Sequence, residues 1–134
     1  MKTLKFKFIA FLIVITAVGA CSSDSNEQYC FRSLYTAVKT VSGPDTTTVN
    51  TAITIDVNYI PLGKCGVFKT FSETDTFPKE IKVLVDYEGC DCPLTDKVAT
   101  QPYTFKAATA GEYILKFQTA DPNAPVTKTI TVTE

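Results

Sequence analysis

Beyond residue 30, apolar and polar residues alternate with period two along most of the chain. Ile53, Ile55, Val57 and Tyr59 alternate with Thr54, Asp56 and Asn58, and Ile81, Val83, Val85 and Tyr87 with Lys82, Leu84 and Asp86. Tyr113, Leu115 and Phe117 continue the rhythm, as do Val126, Lys128, Ile130 and Val132, with one break at the lysine. Alternation of β-branched and aromatic side chains with polar ones marks a strand that buries one face. Weaker strand candidates are 34–41, 67–71, 97–99 and 103–106. Between them stand turn-forming runs: Ser42-Gly43-Pro44-Asp45, Pro61-Leu62-Gly63, Glu88-Gly89, Ala110-Gly111 and Asp121-Pro122-Asn123, whose residues favour tight or left-handed turns. No stretch here sustains a helical period. The pattern predicts one all-β domain over residues 30–134, a two-sheet Greek-key sandwich of about seven strands.

The first thirty residues follow a different pattern. Lys2, Lys5 and Lys7 precede an uncharged run from Phe8 to Val18. That run is too short to cross a bilayer as a helix, which takes roughly 20 residues. A basic start, a short apolar run and small residues after it form the layout of an export signal. Val18, Gly19 and Ala20 come next, and then Cys21. This segment resembles the lipobox of bacterial lipoproteins. The resemblance implies a signal peptide over 1–20, cleavage before Cys21, diacylglycerol on its sulfur and acylation of the new amine. Two or more acyl chains anchor stably, at about 0.8 kcal/mol per buried CH₂. The polar run Ser22-Ser23-Asp24-Ser25-Asn26-Glu27-Gln28 has no periodicity and, with Cys21 and Tyr29, makes a flexible tether over 21–29. Serine and acidic residues directly after the cysteine resemble the export signals of surface-displayed lipoproteins. The expectation is an outer-membrane location, with outward display favoured over the periplasmic side and lipid as the membrane contact.

Five cysteines, at 21, 30, 65, 90 and 92, are an odd count for an exported chain. Lipid on Cys21 leaves four, and an oxidising compartment then favours two disulfides. Cys90 and Cys92 are too close in sequence to bridge one another without strain. Each therefore pairs with Cys30 or Cys65. Cys65 precedes one strand of a hairpin and Cys90 follows the other, which favours Cys65–Cys90 with Cys30–Cys92 over the swapped arrangement. A four-thiolate metal or redox site is the alternative, although Cys-x-Cys is an unusual spacing for structural zinc.

The segment Thr109-Ala110-Gly111-Glu112-Tyr113-Ile114-Leu115 resembles the immunoglobulin-like stretch in which a glycine and then a tyrosine open the penultimate strand. The resemblance implies that Tyr113 serves as a tyrosine corner, its hydroxyl bonding back to the preceding turn. Leu115 stands where antibody domains carry a core cysteine, and the chain has no Trp. The likeness is therefore to an immunoglobulin-like bacterial module rather than to an antibody domain.

Composition narrows the chemistry. The chain has no histidine, which removes Ser-His-Asp and Cys-His catalysis and every histidine-containing metal site. The signal segment holds three of the 13 basic residues and none of the 14 acidic ones, so the remainder has 10 against 14 and a net charge of −4. An acidic balance argues against nucleic acid as a partner. Asp86, Glu88 and Asp91 offer oxygen donors of the kind Ca²⁺ takes, but their spacing matches no EF-hand loop and a solvated turn is favoured. Asp45-Thr46-Thr47 resembles a short acceptor motif for O-glycosylation, against an ordinary threonine-rich turn. Phe68 is out of phase with Val67 and Phe71, which predicts an aromatic on an exposed strand face. The segment Phe71–Phe77 is a candidate partner loop, with a plain hairpin connection favoured. No residue takes a catalytic, metal-binding or cofactor-binding role. The expectation is a non-enzymatic binding or accessory module that contacts a protein or glycan.

Overall fold

The computed structural model describes residues 30–134. The expected signal peptide over 1–20, the expected lipidation at Cys21 and the expected tether over 21–29 all lie outside the described residues.

Nine strands make up the domain: β1 (Phe31–Thr36), β2 (Val38–Ser42), β3 (Thr46–Thr48), β4 (Ile53–Tyr59), β5 (Gly66–Glu73), β6 (Lys79–Glu88), β7 (Ala99–Phe105), β8 (Gly111–Phe117) and β9 (Val126–Thr133). No described residue is helical. Two sheets result. One is three-stranded, in the order β2-β4-β7, and antiparallel. The other has six strands in the order β1-β6-β8-β9-β3, with β5 on β6 as well. β1 and β5 both pair with residues 83–87 of β6, so they lie on its opposite edges. β8 takes the edge that β1 leaves, pairing with residues 79–81. This sheet is mixed: β6–β8 and β3–β9 are parallel. The all-β, two-sheet prediction stands, while the strand count and the parallel pairs depart from a seven-strand antiparallel sandwich.

The alternating apolar residues form the core between the sheets. Ile55, Val57, Ile81, Val83, Val85, Leu115, Phe117 and Ile130 have no exposed surface. A second group of aromatics crosses the gap: Phe68 packs on Phe71, Phe71 on Tyr103 and Tyr103 on Phe117, with ring centroids 4.9, 5.2 and 5.8 Å apart. Rings at these separations favour tilted or edge-to-face contact, as here. Lys128, the break in the β9 pattern, sits on the inward side. Its side chain is 11% exposed, and its ammonium reaches the rim, donating to Gly43 O at 2.9 Å and pairing with Asp45. An apolar stem with a polar tip makes that position tolerable.

Three local expectations are corrected. The stretch 34–41 is two strands, because the chain leaves β6 after Thr36 and joins β4 from Val38. Phe68 does not face outward. The register of β5 shifts between Phe68 and Thr70, and this bulge places Phe68 and Phe71 on one face, leaving Val67 exposed at 67%. Thr46 and Thr47 belong to an edge strand beside β9 rather than to a turn.

Candidate functional site

The end of the domain at which residue 30 enters is the most heavily cross-linked. β1 begins there, β6 ends there and β5 begins there, in the registers Phe31↔Glu88 and Gly66↔Tyr87. Cys30 and Cys65 therefore arrive at the same end of β6 from its two sides. Cys30 bonds to Cys90 and Cys65 to Cys92. The favoured pairing Cys65–Cys90 with Cys30–Cys92 is thus corrected to the swapped one. The reason is the place of β1: Gly89 N donates to Cys30 O at 2.8 Å, which sets Cys90 beside Cys30. The chain then turns back across β6, and Lys64 N donates to Pro93 O at 2.9 Å, which sets Cys92 beside Cys65. The spacing of one residue between Cys90 and Cys92 is what lets one loop clamp both neighbours of β6.

Tyr87 adds a third fastening. Its ring is buried, and its hydroxyl accepts from Leu62 N at 2.9 Å. Arg32 lies over the ring, 5.8 Å from its centroid. Gly66 must lack a side chain here, because a Cβ would come within 2.8 Å of Tyr87 Cε1 and 2.9 Å of Pro61 Cβ. Two open depressions flank this end, of about 410 Å³ beside Cys30, Arg32 and Cys92 and about 360 Å³ beside Pro61, Lys64 and Val98. Leu62, Leu94 and Val98 stand exposed on the two loops. The sequence predicts a turn at 61–63 and gives Leu94 no strand pattern. The available signal was an apolar residue in a turn segment with no strand period to bury it.

The outer face of the six-stranded sheet carries a polar cluster. Asp86 accepts from Ser33 and, at 3.2 Å, from Lys69. The Ser33 hydroxyl, and after it Lys69, hold the Asp86 carboxyl below the usual range. A carboxylate so engaged is matched to its neighbours on the sheet. Glu88 ends β6 and Asp91 lies between the two bridged cysteines. No group of three potential metal ligands forms among the described residues. Phe31 and Tyr35 stand on either side of the cluster, 51% and 56% exposed. Lys69 lies over Phe31 and Lys82 over Tyr35.

Tyr113 opens β8 beside the 106–110 turn. Its hydroxyl donates to Thr109 O at 3.0 Å and shares a 2.7 Å contact with Thr109 Oγ1. Phe77 and Phe105 pack edge-on against its ring. The candidate partner loop therefore has both aromatic ends engaged: Phe71 faces the core and Phe77 leans on Tyr113. Asp45 pairs with Lys128, and its carbonyl accepts from Thr131 N at 2.9 Å. Thr46 is exposed, and Thr47 Oγ1 donates to Thr51 O at 3.3 Å.

No protein-family model, no curated protein and no solved structure matches this chain.

Proposed function

We propose that this chain is a lipid-anchored module of the bacterial cell envelope, held to the membrane through Cys21 and without catalytic activity of its own. Its domain contacts a protein or glycan partner through strand edges and end loops. The observation that carries this reading is the cysteine bookkeeping. All four cysteines of the domain are joined in two disulfides, a state that persists in oxidising compartments. The fifth, Cys21, follows Val18-Gly19-Ala20 at the end of a signal-like segment. The anchor is assigned to the outer membrane, with outward display ahead of periplasmic on the strength of the serine and acidic residues after Cys21.

An immunoglobulin-like assignment for the domain draws support from the facing sheets and from the Tyr113 hydroxyl reaching back to Thr109. The disulfides weigh against a cysteine-based metal or redox site, which needs thiolates. Immobilised native protein, challenged with solubilised envelope extract and with envelope glycans, is expected to retain one component that a reduced and unfolded control does not. Equal retention by both would contradict a folded binding surface.

A further inference from the structure

We infer that the disulfide-clamped end of the domain is a membrane-seating surface whose exposed Leu62, Leu94 and Val98 rest in the lipid headgroup layer. The inference builds on the anchoring reading above and adds a second contact to it.

Seven large apolar side chains are exposed among the described residues: Phe31, Tyr35, Leu62, Val67, Phe77, Leu94 and Val98. Scattered singly over a surface, such residues mean little. Here five of the seven gather at one end. Leu62 lies on the β4–β5 loop, and Leu94 and Val98 on the β6–β7 segment that packs beside it. Phe31 and Val67 are within two residues of Cys30 and Cys65. Leu94 is 84% exposed and Val98 61%. These loops are also the most firmly fastened, through two disulfides, the Leu62–Tyr87 bond and the Lys64–Pro93 bond. Apolar residues held rigidly in solvent form a prepared surface.

The position of the chain selects the occupant. Eight residues lie between Cys21 and Cys30, and the nine Cα–Cα steps of extended chain reach at most about 30 Å. A lipid on Cys21 therefore keeps this end beside the bilayer. The opposite end is a further ten-residue strand away along β6. Arg32, Lys64 and Lys97 are balanced at this end by Glu88, Asp91 and Asp96, so apolar seating rather than attraction to anionic lipid is the contact. Side chains of this kind enter the headgroup boundary from interfacial proteins.

The chain has no Trp, so a single introduced one reports without background. Full-length protein carrying Leu94→Trp, and separately Phe77→Trp at the far end, is purified from membranes. Each is placed in phosphatidylethanolamine–phosphatidylglycerol vesicles containing acyl-brominated lipid, and acylation of the same sample is checked by mass. The Trp at 94 should lose about half of its emission, as expected for insertion of about 5–10 Å, while the Trp at 77 keeps its own. Acylated protein with equal emission at both positions overturns the seating surface and leaves the anchor intact. Protein without acyl mass overturns the anchor and this inference together. A signal at 94 that responds to the retained envelope component and not to vesicles reassigns the surface to that partner, and also overturns it.

Discussion

The hydroxyl of Tyr103 on β7 donates to Oε2 of Glu73 on β5 at 2.5 Å, a hydrogen bond that runs from one sheet to the other. It closes the aromatic series that begins at Phe68. Burial first, and then the bond and charge of Glu73, push the Tyr103 phenol above its ordinary 10.0. A raised folded pKa means that this stabilisation is fully present below about pH 10 and is lost as the pH climbs further. Tyr103→Phe should cost about 1–2 kcal/mol at pH 7 and should flatten the fall of Tm above pH 10. Parallel alkaline melting curves for variant and wild type would contradict the assignment.

The clamp around β6 makes a pairing prediction. Peptide mapping without reduction should recover Cys30 joined to Cys90 and Cys65 joined to Cys92. Replacing either pair by alanine should lower stability by about 2–5 kcal/mol, measured by denaturant unfolding. Each double variant should keep the remaining bridge, because β1 and β5 approach β6 independently.

The Tyr113 corner is tested by a graded pair of substitutions. Tyr113→Phe removes only the bond to Thr109 and should cost about 0.5–1.5 kcal/mol. Tyr113→Ala also strips the contacts with Phe77 and Phe105 and should cost more, up to about 3 kcal/mol for a half-buried ring. A phenylalanine variant as stable as wild type would assign the whole effect to packing and contradict the corner bond.

Asp86 gives an acid-side prediction. Its pKa is lowered in the fold, so its stabilisation is present above the unfolded carboxylate range and is lost as the pH falls through the folded value. Asp86→Asn should therefore lower Tm at neutral pH and narrow the gap to wild type at pH near 3. An unchanged gap across that range would remove Asp86 from the acid response.

The strands that were legible in the sequence are those with one wet and one dry face: β4, β6, β8 and β9 each show the alternation that their burial reproduces. What escaped was decided by distant partners. β3 is three threonines with no apolar face, and it is a strand because β9 lies beside it in parallel. The sequence pattern breaks β7 into two fragments around Pro102, yet an edge strand accepts a proline, and β7 is an edge of its sheet. The disulfide partners escape local sequence reasoning for a similar reason. The β5–β6 hairpin was visible, while the arrival of β1 on the other edge of β6 is a long-range pairing with no local signal. The apolar residues at the clamped end had no period to announce them either.

The mass of the intact protein from the envelope, measured without reduction, decides whether a disulfide-closed domain is fixed to lipid through Cys21. The expected chain starts at Cys21, carries acyl chains there and is four hydrogens lighter than its reduced form. A chain that retains residues 1–20, an unmodified Cys21, or four free thiols would contradict it.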